Sequence, residues 1–215
     1  MEIIQKQAAF FFKNKFEAPF EELALKVKNI LGNVDAQYIP IPSDAPPEIP
    51  RLVLPYKERN LSFNFSKIRF DVFFNDLSLV SNSIISIVGI FSDDYKMSID
   101  RIGFVQKSFL ESEMSPLLDL FVETHKPTGV KELAVRINLE KNVGIYTCNS
   151  IEALSVVSVT KLENGALINK KGILIERDIN TLEEKRSEYL FDKNNLPAFI
   201  GALNTEADNL TLLQV

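Results

Sequence analysis

The chain has one cysteine, one histidine, no tryptophan and only eight glycines in 215 residues. Each scarcity removes a class of chemistry. The lone Cys148 excludes a disulfide-built scaffold and any metal site needing several thiolates. The lone His125 excludes zinc centres built on histidine sets. Few glycines leave little material for phosphate-cradling loops. Neither G-x-G-x-x-G nor G-x-x-x-x-G-K-[ST] occurs, and no serine stands in G-x-S-x-G. Long apolar runs are lacking too. The most apolar stretch, residues 77–91, is broken by serines, Asn82 and Gly89, and is too short to span a bilayer. The first residues carry no basic leader followed by an apolar run, so no secretory signal is expected.

What is present is a 46% hydrophobic, 25% charged chain with net charge −5. That balance fits a globular protein of one domain, or two subdomains over 1–110 and 115–215. A free thiol fits a reducing compartment, and the cytoplasm is the expected location. Sixteen phenylalanines supply nearly all the aromatic area, and phenylalanine has no polar handle. Most of them fall on the apolar faces of predicted strands and helices, which assigns them to a core and not to a base-stacking surface. Neither nucleic acid nor membrane is therefore an expected partner.

Periodicity organises the chain. Ala8, Phe10, Phe12 and Phe16 alternate as in a strand. Pro19 opens a helix whose stripe is Phe20, Leu23, Val27, Ile30 and Leu31, with Gly32 placed to stop it. Residues 61–65 and 68–74 alternate as two strands, and the parity break at Ser66-Lys67 predicts a tight hairpin or a bulge. Val80, Ile84, Ile87, Val88 and Phe91 make a second helical stripe, and residues 98–109 another strand. Met114, Leu117, Leu118 and Phe121 predict a helix after Ser115-Pro116. Leu133 to Leu139 alternate, and Glu140-Lys141-Asn142 is expected to turn into the next strand. Asn164-Gly165 is the strongest hairpin signal. After residue 177 the chain should leave its last strand, with Asn180 or Thr181 capping a helical turn. Leu196, Phe199, Ile200, Leu203, Ala207 and Leu210 form the last stripe. Hairpin-connected strands without β-α-β alternation predict an α+β fold. A mostly antiparallel sheet, four to five helices and two similar halves are expected.

Six of the ten prolines lie within residues 40–55. Each fixes φ and removes a donor, so this stretch should be extended. Pro46, Pro47, Glu48, Ile49, Pro50 and Arg51 give it apolar and basic points suited to docking on a neighbour. The alternative is a loop strapped across its own domain.

For catalysis, only carboxylates offer an opening. Glu176 and Asp178 share a face of one strand. With Asp71, Asp76 or Asp100 nearby they would suit Mg²⁺-dependent phosphodiester cleavage, although the strand lacks the accompanying lysine. The plainer reading is a solvated sheet face. His125, at the end of a predicted helix, suits capping, and Cys148 suits a part-buried structural role. No metal or cofactor is expected.

The order of a Phe-rich opening strand and helix, the strand holding Met97-Ser98-Ile99-Asp100-Arg101-Ile102-Gly103-Phe104, and a late strand ending in Asp178-Ile179-Asn180-Thr181 resembles a sporadically distributed bacterial family of unknown function. The proline stretch lies outside that likeness. The resemblance implies an accessory bacterial protein and transfers no catalytic residues. The architecture is also similar, by analogy, to SecB-like chaperones. The expected function is thus a non-enzymatic protein-binding or assembly component, either dimeric or bound to another protein. A Mg²⁺-dependent nuclease and a chaperone-like or antitoxin-like binder are the rivals.

Overall fold

The computed structural model describes residues 1–32, 34–42, 44–57, 60–111, 134–163 and 166–209, with the backbone alone for 161–163 and 166. The expected helix after Ser115, together with His125, Asn164, Gly165 and Leu210, lies outside these residues. The fold is α+β, built on one antiparallel sheet of nine strands. In chain order these are β1 (Glu2–Phe12), β2 (Gln37–Tyr38), β3 (Leu52–Tyr56), β4 (Leu61–Phe65), β5 (Arg69–Phe74), β6 (Ile99–Glu111), β7 (Ala134–Val143), β8 (Tyr146–Glu163) and β9 (Ala166–Thr181). Their order across the sheet is β2-β3-β4-β5-β1-β6-β9-β8-β7. Three α-helices, α1 (Phe20–Leu31), α2 (Ser81–Gly89) and α3 (Leu196–Asp208), pack on one face. No described helix is long and apolar enough to cross a membrane.

The apolar stripes do what their periods require. Leu23, Ala24, Val27 and Leu31 of α1, Ile84, Ile87 and Val88 of α2, and Leu196, Phe199, Ile200, Leu203 and Ala207 of α3 are buried. They meet Phe10, Phe63, Phe65, Phe70, Val72, Phe104 and Ile179 from the sheet in one core. Phe70 lies at the centre of the phenylalanine cluster. It stacks on Phe10 at 4.5 Å between centroids and on Phe91 at 5.5 Å. Such pairs add about 0.5–1.5 kcal/mol each beyond the area they bury. Gly32, at φ 84°, closes α1 with its N–H on Lys28 O, a conformation that costs a side-chain-bearing residue strain. Pro19 sits one residue before the helix, with extended ψ.

The turn at Ser66-Lys67 is a tight hairpin. Ser66 Oγ accepts from the N–H groups of Ile68 and Arg69, and Ser66 N–H donates to Arg69 O. Two expectations need correction. Glu140-Lys141-Asn142 is not a turn but the end of β7, an edge strand. Glu140 and Asn142 point outward there, and Lys141 reaches inward to Glu206. The turn falls at Gly144-Ile145, where Gly144 supplies φ 60° and Val143 pairs with Tyr146. Thr181 is not a helix cap either. It ends β9, and its hydroxyl accepts from Ile102 N–H at 3.0 Å. The next segment is a short 3₁₀ helix over Glu183–Glu188 without a side-chain cap.

Candidate interaction surfaces

The three described α-helices lie on one face, and the described residues of the other face are largely polar or half-exposed, as antiparallel sheets permit. One cross-strand row on this outward face runs Asn64, Asp71, Ala9, Gly103, Asn180, Asn149 and Glu140. Asp71 accepts from Gln7 Nε2 at 3.0 Å and from Arg69 Nε at 3.1 Å. Burial still holds its carboxyl above the ordinary value, against the pull of Arg69 and Gln7. Asn180 lies over Gly103, where a Cβ would come within 2.5 Å of its Oδ1.

Glu176 and Asp178 stand on this face, two residues apart on β9, as their spacing requires. Glu176 is ion-paired with Lys107 at 2.9 Å. Asp178 accepts from Asn180 Nδ2. Burial raises its carboxyl above the usual range, which the Asn180 bond opposes and the charge of Glu176 reinforces. The other carboxylates proposed as co-ligands are engaged elsewhere. Asp71 is in the row of Asn180 but three strands away, about 14 Å at the usual strand spacing. Asp76 accepts from the Ser78 N–H at 2.8 Å, and Asp100 from Arg186 at 2.8 Å. Among the described residues, no group of three or more His, Cys, Asp or Glu side chains comes together as a metal set. Cys148 is fully buried, and burial pushes its thiol up to about 12.

The proline stretch runs from β2 into β3 at one edge of the sheet, and it is not extended throughout as expected: turns occupy residues 44–45 and 47–49. Pro47 O accepts from Lys67 N–H at 3.0 Å, Arg51 N–H donates to Phe65 O at 2.8 Å, and Ile49 N–H donates to Pro46 O at 3.2 Å. Arg51 Nη2 reaches back to Ala45 O at 3.5 Å. The stretch is thus tied to its own domain, while Pro46, Glu48 and Ile49 remain exposed. Beside it lies a groove of about 460 Å³ lined by Phe20, Glu21, Tyr38, Ile39, Pro40, Ile41 and Arg51. Tyr38 (47%), Ile39 (40%) and Ile49 (39%) are exposed large apolar side chains.

Two arrangements are invisible to sequence reasoning. Beneath the C-terminal end of α3, a polar row crosses the buried face through Lys6, Gln106, Arg177 and Glu152, in register on β1, β6, β9 and β8. Arg177 bonds Glu152 Oε2 through Nε at 2.9 Å and through Nη2, and donates from Nη1 to Glu206 O at 2.7 Å. Lys6 Nζ donates to Asn204 Oδ1 at 2.7 Å, and Gln106 Nε2 to Ala207 O at 3.3 Å. Arg177 and Gln106 thus donate to two carbonyls at the end of the helix, Glu206 O accepting from Asn209 N–H as well. The available signals were polar residues on apolar parities: Arg177 with Ile173, Ile175 and Ile179, Lys6 with Ala8 and Phe10, and Gln106 with Ile102 and Phe104. The second arrangement is a ladder of Arg69, Phe11 and Arg101 on the outward face, assembled from three strands.

No protein-family model and no curated protein matches the chain.

Proposed function

We propose that the protein works without catalysis, as a binding or assembly component acting through protein–protein contacts made by the tip at Pro46, Pro47, Glu48, Ile49, Pro50 and Arg51. The observation that supports this reading is the combination of order and exposure at that tip. Its backbone is held by Lys67 and Phe65, yet Pro46 and Ile49 are exposed on the stretch that flanks the groove at Tyr38 and Ile39. A segment already ordered loses little entropy on docking, so more of its contact energy appears as affinity. The stretches 1–110 and 115–215 then serve one scaffold, the first carrying the tip. A cytoplasmic, bacterial accessory role belongs to the same reading, as does a homodimer in which the partner is a second copy.

The test is capture by the tagged full chain from lysate of its own cells, read by mass spectrometry. Ile49→Lys is compared with Leu167→Lys, which alters an exposed leucine far along the chain. The reading expects a defined partner, a second copy included, that Ile49→Lys loses and Leu167→Lys keeps. Equal capture by both variants would overturn it.

A further inference from the structure

The charges of the outward face are not evenly spread. On adjacent strands β5, β1 and β6, Arg69, Phe11 and Arg101 occupy one row. The Arg69 guanidinium carbon lies 5.4 Å from the Phe11 ring centroid and that of Arg101 4.8 Å, so one ring orients two guanidinium groups. Neither arginine is fully used. Arg69 spends Nε on Asp71, leaving both terminal nitrogens. Arg101 spends Nη1 on Glu183, and its buried Nε has no partner. Just beyond Phe11 the chain carries Lys13 and Lys15, both exposed and without an acidic partner. Arg186 lies at the same end of the sheet, bonded to Asp100, to Glu183 and to the carbonyl of Phe12. Asp71, Asp100 and Glu183, with the charge of Asp178 also acting on Arg101, offset the three arginines, and Glu17 offsets Lys67. The two lysines remain uncompensated, on a chain whose net charge is −5.

We propose that this end of the outward face binds an acidic, carboxylate-bearing segment of a protein partner. Charge complementarity selects the occupant. Planar guanidinium groups with free N–H edges match carboxylates. Each arginine already holds a carboxylate, so a monoanionic side chain suits the remaining edge better than a dianionic phosphate, which Asp71 and Glu183 would repel. Half-exposed Val105 and Phe73, in the row through Gln7 and Asp178, offer apolar contact alongside. The inference rests on the protein-contact reading but uses a different surface from the tip.

The experiment is fluorescence anisotropy of the full chain with a labelled glutamate-rich peptide at low ionic strength. Parallel arms use a phosphoserine peptide and a single-stranded oligothymidylate. Wild type binds the glutamate-rich peptide best, and binding fades as salt screens the charges. The double variant Lys13→Glu, Lys15→Glu changes only exposed, unpaired groups, so it folds as wild type does, and it binds about tenfold more weakly. Phe11→Leu keeps an apolar residue but releases both guanidinium groups, and it weakens binding with the Tm as a check on folding. No binding by wild type, equal binding by the lysine variant, or tighter binding of the oligothymidylate or phosphopeptide would each overturn the proposal. None of these outcomes touches the Ile49→Lys capture test, so the tip reading stands or falls separately.

Discussion

The ion pair Arg177–Glu152 allows a sharp prediction. Both side chains are almost wholly buried, at 1% and 2% exposure. Replacing Arg177 by Met leaves the Glu152 carboxylate without its main partner, while Glu206 O keeps the Asn209 N–H at 3.1 Å. Breaking a buried pair from one side costs about 3–5 kcal/mol, because the surviving charge stays desolvated. In a chain of this size, 1 kcal/mol moves Tm by about 2–4 °C, so a fall of roughly 6–20 °C is expected. Replacing both partners, Arg177→Met with Glu152→Leu, removes the stranded charge. What remains is the loss of the Arg177 bond to Glu206 O, which still accepts from Asn209 N–H, at a cost of about 1–2 kcal/mol. The double variant should therefore be more stable than Arg177→Met alone. Urea unfolding of the four proteins of this double-mutant cycle measures it. A loss below about 1 kcal/mol for Arg177→Met, or a double variant weaker than the single, would refute the account of the polar row.

Other consequences follow from the same geometry. The folded-state pKa of Asp178 is raised by burial, so the folded protein binds that proton more tightly than the unfolded chain. Stability is therefore lost as pH rises through the window between the ordinary carboxylate value and the raised one. Asp178→Asn should melt higher than wild type at pH 7, with the gain vanishing as pH falls through that window; a constant difference across pH would contradict this. Cys148, its thiol pushed up to about 12 by burial, should react with a disulfide reagent only at the rate of unfolding, and rapid labelling of the native protein would contradict its placement. With Glu176 ion-paired to Lys107, titration with Mg²⁺ or Mn²⁺ should leave Tm unchanged, and a rise would revive the phosphodiesterase alternative.

The fold was legible where one local pattern decides the outcome. The stripes of α1, α2 and α3 bury most of the expected side chains, with Phe20 and Ile30 half-buried and Leu210 outside the described residues, and of the two readings of the parity break at Ser66-Lys67, hairpin or bulge, the hairpin holds. The β7–β8 turn was misplaced because Glu140, Lys141 and Asn142 look like loop residues, and an edge strand tolerates polar side chains on both faces. Thr181 looked like a cap because its hydroxyl partner, the backbone at Ile102, lies 79 residues away in the chain. The surfaces were harder to see. The spacing of Glu176 and Asp178 placed them correctly on one face, but their neighbours depend on the strand order. The ladder of Arg69, Phe11 and Arg101 exists only because β1 lies between β5 and β6. Phe11 does carry a local signal, since it shares the parity of Lys13 and Lys15 and not that of Phe10 and Phe12.

The claim that the ordered tip makes the protein's contacts is tested most directly by isothermal titration of the captured partner, purified, into wild type and into Ile49→Lys. The account predicts a dissociation constant at least about tenfold higher for the variant at unchanged Tm, since an exposed apolar contact is replaced by a charge. Equal affinity for the two proteins would contradict it.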